Sequence, residues 1–424
     1  MEEAFNALLD RAVSRLYLLY HRFPCLNPFP NSHVVLCQYG IGSNICMQKV
    51  FFKHTLWQTL CKFSSLWYNS PIMKNYIIFD LEWNQSARGK TDSIEELPFE
   101  IIEIGAVKLD ENFSMVDEFH RLICPQVYTQ MHYAISEVTH MKMQDLQNHG
   151  EDFVTVVNAF IQWCGKEESV YCTWGMMDLT ELQRNIKYFK VENPFPYPLF
   201  YYDVQKLYGM FYSNGIKPSL DVAVEELKLM EERPFHRALD DAYYTGRILV
   251  WLISKFGPER LLPYHSTDYY RIPESKDQEI HILFPNYSKY VSRVFPSKED
   301  ALKERSVAEM RCYECGRALR KKIHWFTSNQ KIYYSLALCP DHGYLKGKIR
   351  MKRVDDMKVY VIKTLKLTDE TGAEQIISRK NETRKKRAKK NREKRARQRK
   401  SMKLLIGENN NRKGAKKAFQ PTDK

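Results

Sequence analysis

Between residues 75 and 256, apolar runs of strand length alternate with segments of helical period. Tyr76–Trp83 is an apolar run that predicts a strand. Glu100–Leu109 and Ser114–Cys124 are two more, joined by the polar turn Asp110-Glu111-Asn112, so the pair predicts a hairpin. Ser136–Gln147 reads as a helix, Ser169–Thr173 as a short buried strand, and Asp178–Phe189 as a helix that stops before Pro194. Phe200–Asp203 is a further strand. Helices are expected at Val204–Phe211, Ser219–Met230 and Arg237–Phe256, with Ser219 as an N-cap. Three strands followed by α, β, α, β and more helices predict the α/β class, a mixed sheet with helices on its faces.

The flanks read differently. Residues 1–72 carry scattered apolar positions and four cysteines but no sustained period. At Met73 the character changes, and we expect Met73 as the native start with residues 1–72 as an upstream extension. The alternative is a real N-terminal region with an amphipathic helix at Glu2–Tyr20. Residues 257–310 read as a polar, Pro-containing connector. Residues 311–368 hold a Cys/His cluster and a strand at Lys358–Leu367, and 378–424 is a low-complexity basic tail. The expected α/β domain is 73–256.

Composition narrows the class. The 424 residues suggest two or three domains, and 44% hydrophobic with 13% aromatic content is enough to bury cores. No stretch of eighteen uninterrupted apolar residues occurs, and no secretory signal is evident, so no membrane partner is expected and the location expected is cytoplasmic. Residues 379–424 hold 20 Lys/Arg and 4 Asp/Glu, a net +16, which exceeds the +14 of the whole chain. The body is therefore close to neutral, and the tail suits a polyanion. The ten cysteines fit a reducing compartment better than a disulfide scaffold.

Three segments carry candidate chemistry. Asp80 and Glu82 lie two apart near the end of the first strand, so their carboxylates share a face. Asp178 opens a helix after Cys172-Thr173-Trp174-Gly175-Met176-Met177. His236 precedes the last long helix, with Asp241 about a turn and a half further on and Asp240 as its adjacent alternative. Each alone has an ordinary structural explanation. Together, four carboxylates suit two hard cations such as Mg²⁺ or Mn²⁺, about 4 Å apart, and a nearby imidazole suits proton removal from water.

This ordered set resembles the DEDD-superfamily 3′–5′ exonucleases, in the branch with His-x4-Asp as its third motif. The resemblance covers about residues 75–256 and implies an RNase-H-like fold. It implies metal ligation by Asp80, Glu82, Asp178 and Asp241 and a general base at His236. Many members carry His-Asn before the second-motif Asp, whereas Trp174-Gly175 stands here. That version is similar to the exonucleases that trim histone-mRNA ends and small RNAs, and to the sporulation-inhibitor exonuclease-like proteins. The resemblance thus implies single-stranded nucleic acid as partner and tilts it toward RNA.

Cys312-x2-Cys315 and Cys339-x2-His342, each pair followed by glycine, have the spacing of a tetrahedral Zn²⁺ site. With four ligands and no open position, the Zn²⁺ is expected to be structural in a zinc-ribbon-like module. Lys321, Lys322, His324, Trp325, Lys331, Tyr333 and Tyr334 are candidates for a cationic stacking surface, or else for strand faces and core. The basic tail is expected to be disordered alone and to bind phosphates without sequence preference. Two rival functions stay open: a binding protein that uses the nuclease fold as a platform, and a DNA proofreading exonuclease. Oligomeric state is not legible.

Overall fold

The computed structural model describes residues 75–417 apart from 166–168, 231, 328, 330 and 356. Residues 1–72, with the helix considered at Glu2–Tyr20 and the start considered at Met73, lie outside the described residues.

The first sheet comprises β1 (Asn75–Asn84), β2 (Glu100–Leu109), β3 (Met115–Leu122), β4 (Ser169–Thr173), β5 (Phe200–Asp203) and β6 (Ser266–Thr267), in the order β3-β2-β1-β4-β5-β6. β2 is antiparallel to β1 and β3, as the hairpin pattern predicts, while β4 and β5 continue parallel to β1. β1 is central because its alternate side chains are apolar on both faces. Ile77, Phe79 and Leu81 enter one core, and Tyr76 and Ile78 the other.

The first core is covered by α3 (Phe153–Cys164) and α4 (Met177–Tyr188), and the second by α5 (Val204–Phe211), α6 (Leu220–Glu226) and α7 (Ala238–Phe256). This is the mixed α/β architecture expected of an RNase-H-like exonuclease. The helix expected over Ser136–Gln147 is two, α1 (Tyr133–Thr139) and α2 (Met143–His149). His140 between them sits in the left-handed region at φ 57°, which ends the first helix. Ser219 occupies the N-cap position of α6, but its side chain makes no capping bond.

The expected connector is not one. After α8 (Pro258–Leu261), β6 pairs with β5, and β7 (Ile280–Phe284) and β8 (Tyr287–Val291) form a hairpin that joins a second sheet. Helices α9 (Lys298–Lys303) and α10 (Arg305–Ala308) follow, then a two-stranded ribbon of β9 (Met310–Arg311) and β10 (Ala318–Leu319). The second sheet also takes β11 (Lys321–Thr327), β12 (Ile332–Cys339), β13 (Gly343–Arg353) and β14 (Val359–Thr368), in the order β11-β12-β13-β14-β8-β7. The Cys/His module is thus one corner of a larger antiparallel domain. Val307, Tyr333, Ile349, Val359 and Val361 pack together in its core.

The basic segment departs from the extended tail that its charge suggests. Residues Glu370–Lys417 form one helix, α11. Ala373 and Ile376 anchor its start on Ile323 and Leu336, Thr383 is buried, and the Arg387 guanidinium donates to the Thr327 carbonyl at 2.5 Å. Beyond Arg387 the side chains described up to Arg399 are exposed, so intrinsic helix propensity of Lys, Arg, Ala and Gln sustains it there. No helix among the described residues is long and apolar enough to cross a membrane.

Candidate active site and metal centres

β1, β4 and β5 run parallel, so their C-terminal ends share one edge of the first sheet. The sequence-predicted acids meet there. Asp80 and Glu82 project from the α7 side of β1, and Asp241 reaches them from the first turns of α7. One carboxylate oxygen from each lies within 4.8 Å of the others. The register between β1 and β2 shifts at Glu82/Trp83, a bulge of the kind that re-aims side chains at sites. Asp178, in the first turn of α4, is buried and hydrogen-bonds to the backbone at Asp178 and Leu81, next to Asp80. Asp240 turns away toward Arg233, 3.7 Å from its guanidinium, which leaves Asp241 as the member of the cluster.

Four carboxylates at one edge are electrostatically unhappy without a cation. Burial first, then repulsion from Asp178, Asp241 and Glu82, pushes the Asp80 carboxyl well above its ordinary value. Burial and the neighbouring acids push Glu82 up to about 8, and burial is the leading cause that brings Asp178 and Asp241 each to about 7. Such a set of oxygens, short of positive charge, fits hard divalent cations.

His236 is exposed and lies just before α7 with φ 66°, an uncommon conformation for a non-glycine residue. Its backbone N–H donates to both Asp241 oxygens, at 3.2 and 3.3 Å. The turn therefore locks His236 and Asp241 together.

Sequence reasoning missed the group that fixes this turn. Glu103 on β2 is wholly buried. It accepts from the Arg237 guanidinium (2.8 Å), the Ala238 N–H (3.4 Å) and, at 2.5 Å, contacts His120 Nε2. Burial alone would raise its pKa, but the bonds from His120 and Arg237 hold it below the ordinary value. Gly105, two residues on, allows α7 to press onto β2: a Cβ there would lie 1.9 Å from the Leu239 nitrogen. The Glu-x-Gly pattern after the first motif was the available signal; its partner lies 134 positions away.

The second cluster is equally compact. Cys312, Cys315, Cys339 and His342 present ligand atoms within 4.8 Å of one another. Cys315 Sγ and Cys339 Sγ are 3.7 Å apart, Cys312 Sγ and His342 Nδ1 3.8 Å, and Cys339 Sγ and His342 Nδ1 3.6 Å. Ligands at about 2.3 Å from a tetrahedral centre are about 3.8 Å from each other, so the four atoms fit Zn²⁺ without rearrangement. Gly316 and Gly343 turn the two knuckles at φ 69° and 82°. The proposed stacking surface around it does not form as a unit. Tyr333 is in the core, and the Trp325 indole packs inward and donates to the Ala308 carbonyl at 2.8 Å.

Residues 77–249 match the family model RNase_T, described as exonuclease. No curated protein matches the chain. Among solved structures, similarity extends to a full-length 3′-exonuclease (20% identity, TM-score 0.38, covering 48% of this chain and 93% of that one). It extends also to the nuclease domain of 3′hExo, a DEDDh family member, bound to rAMP (20% identity, TM-score 0.39, 47% and 98% covered). A third is S. pombe Pop2p in its Mg²⁺- and Mn²⁺-bound form (18% identity, TM-score 0.35, 48% and 91% covered).

Proposed function

We propose that residues 77–249, an exonuclease domain of the RNase_T family, hydrolyse single-stranded nucleic acid from its 3′ end, with RNA as the substrate. The observation that carries this reading is the convergence of Asp80, Glu82, Asp178 and Asp241 at one sheet edge beside the exposed His236. The four carboxylates would hold two Mg²⁺ or Mn²⁺ ions. Such ions, when bound, supply positive charge for an anionic phosphodiester and a poor alkoxide leaving group. His236 accepts the proton of the attacking water at its imidazole nitrogen, and its backbone bond to Asp241 keeps the ring at the edge of the acid cluster. Cys312, Cys315, Cys339 and His342 would hold one structural Zn²⁺. The RNA preference draws on Trp174-Gly175 in the second motif. None of the six described cysteines is in a disulfide, and the reading places the protein in the cytoplasm.

A degradation assay on matched RNA and DNA 20-mers, labelled at the 5′ end, tests the reading with Mg²⁺ or Mn²⁺. We expect a ladder that shortens from the 3′ end, with RNA consumed faster. Asp80→Asn and Asp178→Asn should each abolish it with circular dichroism unchanged, because each removes ligand charge rather than core packing. Near-wild-type activity in either variant would exclude the two-metal assignment. Release of labelled mononucleotide first would reverse the polarity. An intact wild type that binds but never cleaves would favour the binding-platform alternative.

A further inference from the structure

The second sheet has a core face and a basic face. Tyr334, Lys348, Thr364, Lys289 and Ile282 stand directly opposite one another across five strands. Residues two along each strand share that face, which adds Lys346, Arg350 and Lys366. Five cations therefore lie on one side of the sheet. None of the five forms an ion pair with a described carboxylate.

Two walls flank this face. At the β7–β8 end, Ile282, Phe284, Tyr360 and Ile362 pack against Phe200, Tyr264 and Tyr269 of the nuclease side. At the β12 end, Ala373 and Ile376 of α11 close over Leu336. Between them Arg350 and Lys366 are exposed, and Lys346, Lys348 and Lys289 half-buried. The cations of this strip stand on β8, β14 and β13, across two strand spacings, ~10 Å. Each wall adds to the charge. Arg379 of α11 lies 4.4 Å over the Tyr334 ring, close to Lys348, and Lys206 of α5 approaches Lys289. Lys289 itself sits 4.8 Å over the Tyr269 ring. Burial first, then the like charges of Lys206 and Arg350, lower its pKa to about 7, so a phosphate beside it would restore its full charge. Two acids of the nuclease side lie nearby, and Asp203 attracts Lys206. Asp203 accepts from the Lys206 backbone N–H and from Lys217 Nζ, and Asp268 from Gln183 and the Tyr270 N–H.

Lys206 joins the strip to the first sheet, its Nζ donating to Ser266 Oγ on β6 at 3.1 Å. Lys206 lies in the first turn of α5, which begins where β5 ends. β5 is two strands from β1 and parallel to it, about 10 Å across the edge that holds Asp80 and Glu82. We propose that this strip, from Lys206 across Lys289 and Arg350 to Lys348 and Lys366, is a binding path for the phosphates of a single-stranded polynucleotide whose 3′ end lies in the acid cleft. The proposal deepens the exonuclease reading and rests on it for the direction of the strand. A phosphate chain is the occupant because the sheet face offers cations at repeated spacing, none of the five in an ion pair with a described carboxylate, beside the first sheet that carries the acid edge.

The test is fluorescence anisotropy on the full chain with 5′-labelled RNA and DNA 20-mers without added Mg²⁺ or Mn²⁺, at several salt concentrations. The K348A/R350A/K366A variant should bind at least tenfold more weakly near 0.1 M salt. Its slope of log K against log salt should flatten by about 2, the value for three lost contacts to a single strand. The K348R/R350K/K366R variant keeps the charge and should bind as wild type. Unchanged affinity and slope in the alanine variant would overturn the path. Equal weakness of the charge-keeping variant would also overturn it, since structure and not charge would then be responsible. Displacement of the RNA by polyglutamate at equal charge concentration, where chloride fails, would assign the strip to an acidic protein instead. Equal RNA and DNA affinities would support readout of phosphates alone. Because Mg²⁺ and Mn²⁺ are withheld, the result is independent of cleavage: a wild type that cleaves when they are added while the alanine variant binds normally rejects the path and leaves the exonuclease reading standing.

Discussion

Glu103 and Glu82 are carboxylates beside the same helix N-terminus, and their neighbours separate them. Both lose hydration, but Glu103 has His120 and Arg237 as partners, whereas Glu82 faces Asp241 and Asp178. Glu103 is thus held ionised as an anchor, and the cleft acids hold their protons more tightly than ordinary carboxylates. The stability consequence has a definite sign. A group whose folded pKa is raised stabilises the fold fully below its unfolded pKa, near 4, and loses that contribution as pH rises through the folded value. For Glu82, Asp178 and Asp241 those values are about 8, 7 and 7. Metal-free protein should therefore melt lower at pH 8 than at pH 6, by a few degrees, and millimolar Mg²⁺ should remove the difference; a melting temperature that rises with pH without metal would contradict the cluster. His236 bears on chemistry instead. His236→Ala should slow turnover by about 10²–10⁴-fold, the range for a general base. Metal affinity measured by calorimetry should be retained, because only the backbone N–H of His236 contacts Asp241. Lost metal affinity would place the imidazole among the ligands.

Strands of the nuclease domain were legible because β1, β2 and β5 are short apolar runs bounded by turns, and the acids follow them in order. Helix α3 was not: Phe153-Val154-Thr155-Val156-Val157 is β-branched and aromatic, a strand-like composition, and the packing of Val157 and Phe160 on the first core overrides it. Its one helical signal was Asp152, whose carboxylate caps the Thr155 N–H at 3.0 Å. The second sheet was read only in part because β8 pairs with β14, so Lys289 meets Thr364 across a separation that no local pattern reports. The two Cys/His knuckles were legible, but not the strands they join. The first knuckle joins β9 to β10, and the second is the turn from β12 to β13, whose strands continue as a ladder from Cys339 to Ile332. Elemental analysis should find one Zn²⁺ per chain. Its removal, or Cys312→Ser, should speed amide exchange at 310–319 and 339–343 far more than along the rest of β12 and β13, because the binding energy of a structural site folds its own knuckles. Zinc-free protein with native protection in both segments would refute the site.

Among the described residues the charge is arranged in three tiers: the acid cleft, the basic face of the second sheet, and α11. The structure also changes where α11 can be cut. A boundary at residue 379 would remove Thr383 and Arg387, which tie the helix to the second sheet, so loss of binding would be confounded with loss of packing. A cut after Ala388 keeps those anchors and deletes residues 389–424, which carry 14 Lys/Arg and 3 Asp/Glu, a net +11. None of the acids, His236 or the Cys/His cluster is touched. If the exposed helix gathers polynucleotide by phosphate contacts, truncation should weaken binding to a long RNA and flatten its salt dependence. Cleavage of a short RNA at saturation should hardly change, because contacts that are equal in ground and transition state leave turnover alone. A solubility role predicts neither effect on binding. Affinity for a 60-mer at two salt concentrations, with and without residues 389–424, separates the two: an unchanged slope rejects the helix as an anchor, and a flattened slope with intact short-substrate turnover assigns it to capture and the acid cleft to chemistry.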